Sequence, residues 1–129
     1  MKFHIKVRAS AIIIEHDAIL LVEFDDKTGL HYNLPGGTIE PGESMIEGLK
    51  REVKEETDAT VSTVGDLLCV IEYEPERNAR WAGPHRSLSL IFAATISKTT
   101  PPKLPKTPDL HQTDVKWIKL SDLDQIELL

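Results

Sequence analysis

One stretch, residues 36–58, constrains this chain more than any other. Leu34-Pro35-Gly36-Gly37 is strong turn punctuation, and Pro41-Gly42 marks a second turn. From Ser44 to Thr57 there is no proline, and Ile46, Leu49 and Val53 fall at helical spacing. Ser44-Met45-Ile46-Glu47 matches a capping box, with Ser44 as N-cap and Glu47 three residues on. The pattern predicts a helix over 44–57. It should stop near Asp58, because Asp tolerates the left-handed conformation and β-branched Thr60 and Val61 follow.

That helix carries an unfavourable charge pattern. At about 100° per residue, Glu52, Glu55 and Glu56 fall within about 100° of one another, while Glu47, Lys50 and Lys54 point elsewhere. Like charges at i, i+3 and i+4 cost a few tenths of a kcal/mol per pair. The negative end of the helix dipole adds to the cost. A divalent cation resolves the conflict, and hard oxygen ligands suit Mg²⁺ or Mn²⁺. Gly48 lies one turn before Glu52 and leaves space for an ion or for an approaching loop. The competing reading is a solvated acidic face balanced by Lys50, Arg51 and Lys54. The glycine-rich turn upstream favours the site, since it exposes carbonyls for a metal and amides, such as that of Gly36, for a phosphate.

The rest of the chain reads as strands and loops. Residues 5–14 and 18–24 form two apolar strands, read together as a hairpin. Residues 25–33 read as a loop. Residues 67–73 and 87–96 are two further strands, separated by a polar segment. Residues 97–114 hold four of the eight prolines and read as a long loop, a kind that is often functional. Residues 114–120 form a last strand, and Ser121 caps a short helix. The expectation is one α/β domain over residues 1–129, with a mixed sheet and one principal helix.

Composition narrows the function. With 129 residues, 15 Lys+Arg and 21 Asp+Glu, the formal net charge is −6, which excludes broad binding to a nucleic-acid polymer. The single cysteine, Cys69, excludes an internal disulfide and reads as a buried small hydrophobe within Leu67–Ile71. No apolar stretch approaches the ~20 residues of a membrane span, and no signal-peptide core follows the first residues, so the expected compartment is the cytoplasm. The five histidines show no paired spacing for zinc.

Gly37, five residues, Glu43, seven residues, then Arg51-Glu52-Val53-Lys54-Glu55-Glu56 resembles the signature of the Nudix hydrolases. Six identities at fixed spacing arise by chance on the order of once in 10⁶–10⁸ start positions. The family's glycine after the double Glu is Asp58 here, and the aliphatic residue after it is Ala59. The resemblance implies a Nudix-like α/β/α sandwich and a Mg²⁺-dependent pyrophosphohydrolase, with Mn²⁺ as the alternative ion. The substrate would be a nucleoside diphosphate linked to a moiety X. Candidates are a nucleoside triphosphate, an ADP-ribose-like molecule or a dinucleotide polyphosphate. It implies Glu52 and Glu56 as metal ligands, Glu55 as a further ligand or as positioner of the attacking water, and the Gly37 carbonyl as completing the shell. It implies that Glu43 and Arg51 pair and hold the loop to the helix, so that Arg51 supports catalysis alongside Glu52 and Glu55. A homodimer is the assembly it suggests. The general base is left among the helix glutamates and the loop acids Glu74, Glu76 and Asp114.

Further substrate contacts are expected from side chains outside that box. Arg8 sits on the first strand and needs an anionic partner, either a substrate phosphate or a structural Glu. His85-Arg86 and His111 flank strands. Tyr32 precedes the glycine turn, and Trp81 lies between Arg80 and the next strand; either offers a surface for a base, or an anchor for its own loop. Two other functional classes compete with the enzyme: a non-catalytic Nudix-like module that senses a nucleotide, and an interaction protein whose acidic helix is only solvated.

Overall fold

The computed structural model describes residues 5–73 and 86–128. Among these described residues, eight strands form two four-stranded sheets, with one α-helix and one short 3-10 helix. The strands are β1 (Ile5–Ile12), β2 (Ile14–Glu15), β3 (Ala18–Asp26), β4 (Gly29–Asn33), β5 (Gly36–Thr38), β6 (Val61–Tyr73), β7 (Arg86–Ile96) and β8 (Gln112–Lys119). The helix α1 spans Met45–Thr57. The first sheet runs β5-β1-β7-β6 and is mixed, because β1 and β7 are parallel and its other pairs antiparallel. In the second, β3 pairs with β2, β4 and β8, all antiparallel. The expected α/β architecture with a mixed sheet and one principal helix is what forms.

The pattern of α1 reads as intended. Ser44 caps it in both directions, accepting from the Glu47 N–H while the Glu47 side chain accepts from the Ser44 N–H. Asp58 ends it in the left-handed region at φ 63°, its N–H bonded to the Lys54 carbonyl. Leu49 and Val53, one turn apart, are fully buried, and each contributes roughly 1.5–3 kcal/mol by leaving water. They pack on Ala9, Ala11, Ile13, Leu20, Val61 and Ile96. A second apolar cluster joins Ile19, Leu21 and Tyr32 to Leu123 and Ile126 from the C-terminal segment. Strand β3 therefore feeds both clusters by alternation, which is why its sequence is apolar without interruption.

Several expectations are corrected. The opening strand does not pair with 18–24 as one hairpin. Only Ile14–Glu15 does so, and Ile5–Ile12 goes to the first sheet. Residues 25–33 are not all loop, since β4 returns along β3 from Gly29. Gly36–Thr38 is a strand rather than a turn. The helix predicted after Ser121 is a 3-10 helix at Leu120–Gln125 with no side-chain cap. Cys69 is exposed, because β6 is the outer strand of its sheet and Leu67, Leu68, Val70 and Ile71 beside it are exposed too. No helix among the described residues is long and apolar enough to cross a membrane.

Candidate active site

The loop–helix junction is built around Arg51. Its Nε and Nη2 donate to the two oxygens of Glu43, at 3.0 and 2.7 Å, as a bidentate pair. Nη2 also donates to the Thr38 carbonyl at 3.1 Å, and Nη1 to Glu52 Oε1 at 2.9 Å and Glu55 Oε2 at 3.2 Å. One guanidinium thus ties β5, the following turn and the acidic edge of α1 together. Glu43 is locked further by accepting from the Glu40 N–H. The Arg51 bond, aided by that amide, holds the Glu43 carboxyl down at about 2. Arg51 itself is pushed up, chiefly by Glu43.

Two glycines let the strand meet the helix. At Gly36 a β-carbon would collide with the Ala9 carbonyl and Ser10; at Gly37 it would run into the Glu52 carboxylate. The backbone of β5 therefore lies directly against the acidic edge, and the Gly36 N–H donates to Glu56 Oε1 at 2.7 Å. At Gly48 a side chain would strike Ile39, so that residue admits the approaching loop.

Glu56 is 6% exposed, and its carboxyl is pushed up to about 8. Burial is the main cause; the Gly36 amide opposes it, and the nearby acids Asp109 and Glu52 reinforce it. Glu52 is also raised, first by burial, against the pull of Arg51. Asp109 thus joins the site from the loop after β7. Gln112 brings it there: its buried side chain donates to the Glu56 carbonyl at 2.8 Å and accepts from the Asp109 N–H at 3.1 Å. Lys103 N–H to the Thr57 carbonyl and Ser97 N–H to the Thr60 carbonyl lace the same loop onto the helix end.

Residues 4–129 match the NUDIX domain family. The chain belongs to the Nudix family. It is a hydrolase of phosphoric anhydride bonds. Its fold is similar to that of a MutT NUDIX hydrolase from Burkholderia pseudomallei: TM-score 0.76, 24% identity, 93% of this chain and 87% of that one. A NUDIX hydrolase from Nitrosomonas europaea gives TM-score 0.77 and 25% identity over 95% of this chain and 78% of that one. An ADP-ribose pyrophosphatase from Streptococcus suis gives 0.67 and 21% over 95% and 78%. No curated protein matches the chain.

Nudix enzymes work with a divalent metal. Among the described residues no three acidic, His or Cys side chains converge on a common point that would hold one. Arg51 instead bridges Glu52 and Glu55, so the acidic row is partly neutralised by the chain itself. The chemistry still fits such an ion: hard oxygens throughout, a buried carboxyl that keeps its proton for want of a positive charge, and glycines where a side chain would block the approach.

The other expected residues of this Nudix domain are scattered. Tyr32 is buried in the second cluster, its hydroxyl donating to Glu23 Oε2 at 2.8 Å. Arg8 is half-buried on β1 opposite Thr38, and has no ionic partner among the described residues, so the structural Glu is not found there. Arg86 is exposed at the start of β7, 3.6 Å from Glu72. Asp114 lies on β8 opposite Glu23 and accepts from its neighbour Val115, whereas the acid that Glu56 meets is Asp109. Glu74, Glu76, Arg80, Trp81 and His85 lie outside the described residues. Reading the sequence missed Asp109 and Gln112. The only signal for them was the length of their loop.

Proposed function

We propose that this Nudix domain is a Mg²⁺-dependent pyrophosphohydrolase acting on a nucleoside diphosphate linked to X, with Mn²⁺ able to replace Mg²⁺. Glu56 carries the reading. It is a buried carboxylate beside two other acids with one amide to hold it, an arrangement that a divalent cation completes. Glu52, Glu55, Glu56 and the Gly37 carbonyl would hold the ion. The bound metal supplies charge neutralisation at the diphosphate and a lowered pKa for water. The chain does the rest. Arg51 and Glu43 keep β5 against α1, so that the reacting phosphate meets a preset wall. Glu55, 58% exposed at the side chain, orients the attacking water and takes its proton, and Asp109 is a second acceptor on the loop. The Gly36 backbone and Arg8 would lie on the phosphate side, and Arg86 is a further candidate contact; Tyr32, buried with its hydroxyl on Glu23, keeps a structural role instead.

The reading includes the cytoplasm as compartment, in keeping with a lone unpaired thiol. It also includes a homodimer through β6, whose outer edge and exposed Leu68 and Val70 suit a second copy of the same strand. The test is release of phosphate, pyrophosphate or nucleoside monophosphate from nucleoside triphosphates, ADP-ribose and dinucleotide polyphosphates, each with Mg²⁺ and with Mn²⁺. Turnover of at least one class is expected. Calorimetric binding without product in either metal would replace the enzyme with a sensing module. Light scattering checks the dimer, and a monomer at micromolar concentration removes it.

A further inference from the structure

A cleft opens beside the acidic edge of α1, outside the carboxylate cluster. Its volume is about 410 Å³, within the roughly 300–1,000 Å³ of small-molecule sites. Lys54, Glu55 and Asp58 line it from the helix and its C-cap, and Lys103, Lys106 and Thr107 from the loop. Three lysines converge there in a chain whose net charge is −6.

Those lysines are only partly satisfied. Asp58 is 3.9 Å from Lys54 Nζ and 3.6 Å from Lys103 Nζ, so one carboxylate serves two ammonium groups. Lys54 also donates to the Asp58 carbonyl. Lys106 has no acidic partner among the described residues. The loop is held in place by its backbone, through Lys103 N–H on the Thr57 carbonyl, so the lysine side chains are not needed to fix it and Lys103 is 71% exposed. The lining contains no aromatic ring to stack a base, and its apolar part is Leu104 and Pro105 alone. Lysine is a compact point charge suited to phosphate oxygens.

We infer that this cleft receives a terminal phosphate on the far side of the scissile bond, so that X is itself a phosphate group and the preferred substrate class is the nucleoside triphosphate. The inference rests on the hydrolase reading above for the position of the scissile bond, and on the cleft for the identity of X. Glu55 stands at the boundary, belonging both to the acidic row and to the cleft wall. A substrate held at the carboxylates thus has its next anionic group beside Lys54, Lys103 and Lys106. A neutral ribose could bond Glu55, Asp58 and Thr107 there but would leave the three ammonium groups without an anionic partner beyond Asp58, which a phosphate supplies.

The test is the double variant Lys103→Glu/Lys106→Glu, whose substitutions lie on exposed side chains. Its fold is checked by circular dichroism. The preference for a nucleoside triphosphate over ADP-ribose, read as the ratio of kcat/KM values, should fall at least tenfold. An equal loss on both substrates, or none on either, overturns the inference. Calorimetry with inorganic triphosphate in metal-free buffer gives a second readout: wild type binds, the double variant binds at least tenfold more weakly, and the difference shrinks in high salt. Should wild type hydrolyse nothing yet bind triphosphate through these lysines, the cleft stands and the hydrolase reading fails. Should it hydrolyse nucleotides while triphosphate binding ignores the substitutions, the cleft is wrong and the hydrolase stands.

Discussion

Glu23 and Glu56 are buried to nearly the same depth, 7% and 6% exposed, and their surroundings differ in every other respect. Around Glu23, on the face of β3 toward the second apolar cluster, the Tyr32 hydroxyl, the Thr113 hydroxyl and Lys116 Nζ each donate at 2.8 Å. Burial lifts its carboxyl, but the bonds from Lys116, Thr113 and Tyr32 outweigh that and leave it below the usual range. Around Glu56 there is one amide and two further acids, and the carboxyl is pushed up to about 8. The first arrangement is complete within the fold, and the charge is part of what holds β3, β4 and β8 together. The second is incomplete without a cation from outside. Equal burial therefore does not mean equal purpose; the donors around each carboxylate separate a structural charge from a site.

The largest expected effect is at Glu56. Glu56→Gln removes a charge at the reacting centre, and turnover should fall 10²-fold or more. Its metal-free stability should be equal to or above that of wild type at pH 8, since an amide has no charge to desolvate. Near-normal turnover in the folded variant, checked by steady-state assay beside a thermal melt, would make Glu56 equivalent to Glu23.

Protons and metal compete for Glu56. Its pKa of about 8 against the usual 4.5 means that the native state binds more protons than the unfolded state between those values. Its contribution is therefore fully present below about 4.5, and metal-free stability falls as pH rises through that window. A cation needs the ionised form, so apparent Mg²⁺ or Mn²⁺ affinity should climb by up to about 50-fold from pH 6 to pH 8. Melting temperatures with and without metal read this directly, and a metal-induced shift that is the same at both pH values would contradict it. Glu43 runs the other way: its contribution is present above about 4.5 and lost as pH drops toward 2.

A smaller effect sharpens the other half. Glu23→Gln should lower stability by about 1.5–3 kcal/mol, the scale for losing hydrogen bonds to a charge. The metal-induced melting shift should persist. Denaturant melts measure the loss, and disappearance of the metal response would join the two regions that the comparison separates. The smallest effect is Asp58→Gly at the left-handed end of α1, where Asp already tolerates φ 63° and stability should change by less than about 1 kcal/mol. A loss above about 2 kcal/mol would mean that the Lys54–Asp58–Lys103 group holds the loop down.

Where local chemistry decides structure, the sequence was readable. The capping box at Ser44, the buried spacing of Leu49 and Val53 and the left-handed Asp58 follow from short-range rules and are found, and the Glu43–Arg51 pair that the family resemblance implied forms as well. Where long-range pairing decides, it was not. Nothing local tells Ile12 to leave β3 for β7, or Gly36–Thr38 to run along β1. The exposure of Cys69 depends on which strand ends the sheet, a global property that an apolar run does not reveal. Asp109 was invisible for the same reason, because its approach to Glu56 depends on Gln112 reaching a helix 56 residues earlier in the chain.

The central claim is that the edge of α1 formed by Glu52, Glu55 and Glu56 is a cation site facing the Gly37 backbone. Anomalous diffraction from crystals soaked in Mn²⁺ and a non-hydrolysable nucleotide at pH 8 tests it most directly. A manganese peak bounded by these carboxylates and Gly37 is the expected result. An empty edge, with Arg51 still bridging Glu52 and Glu55 and manganese bound elsewhere or not at all, would contradict the account.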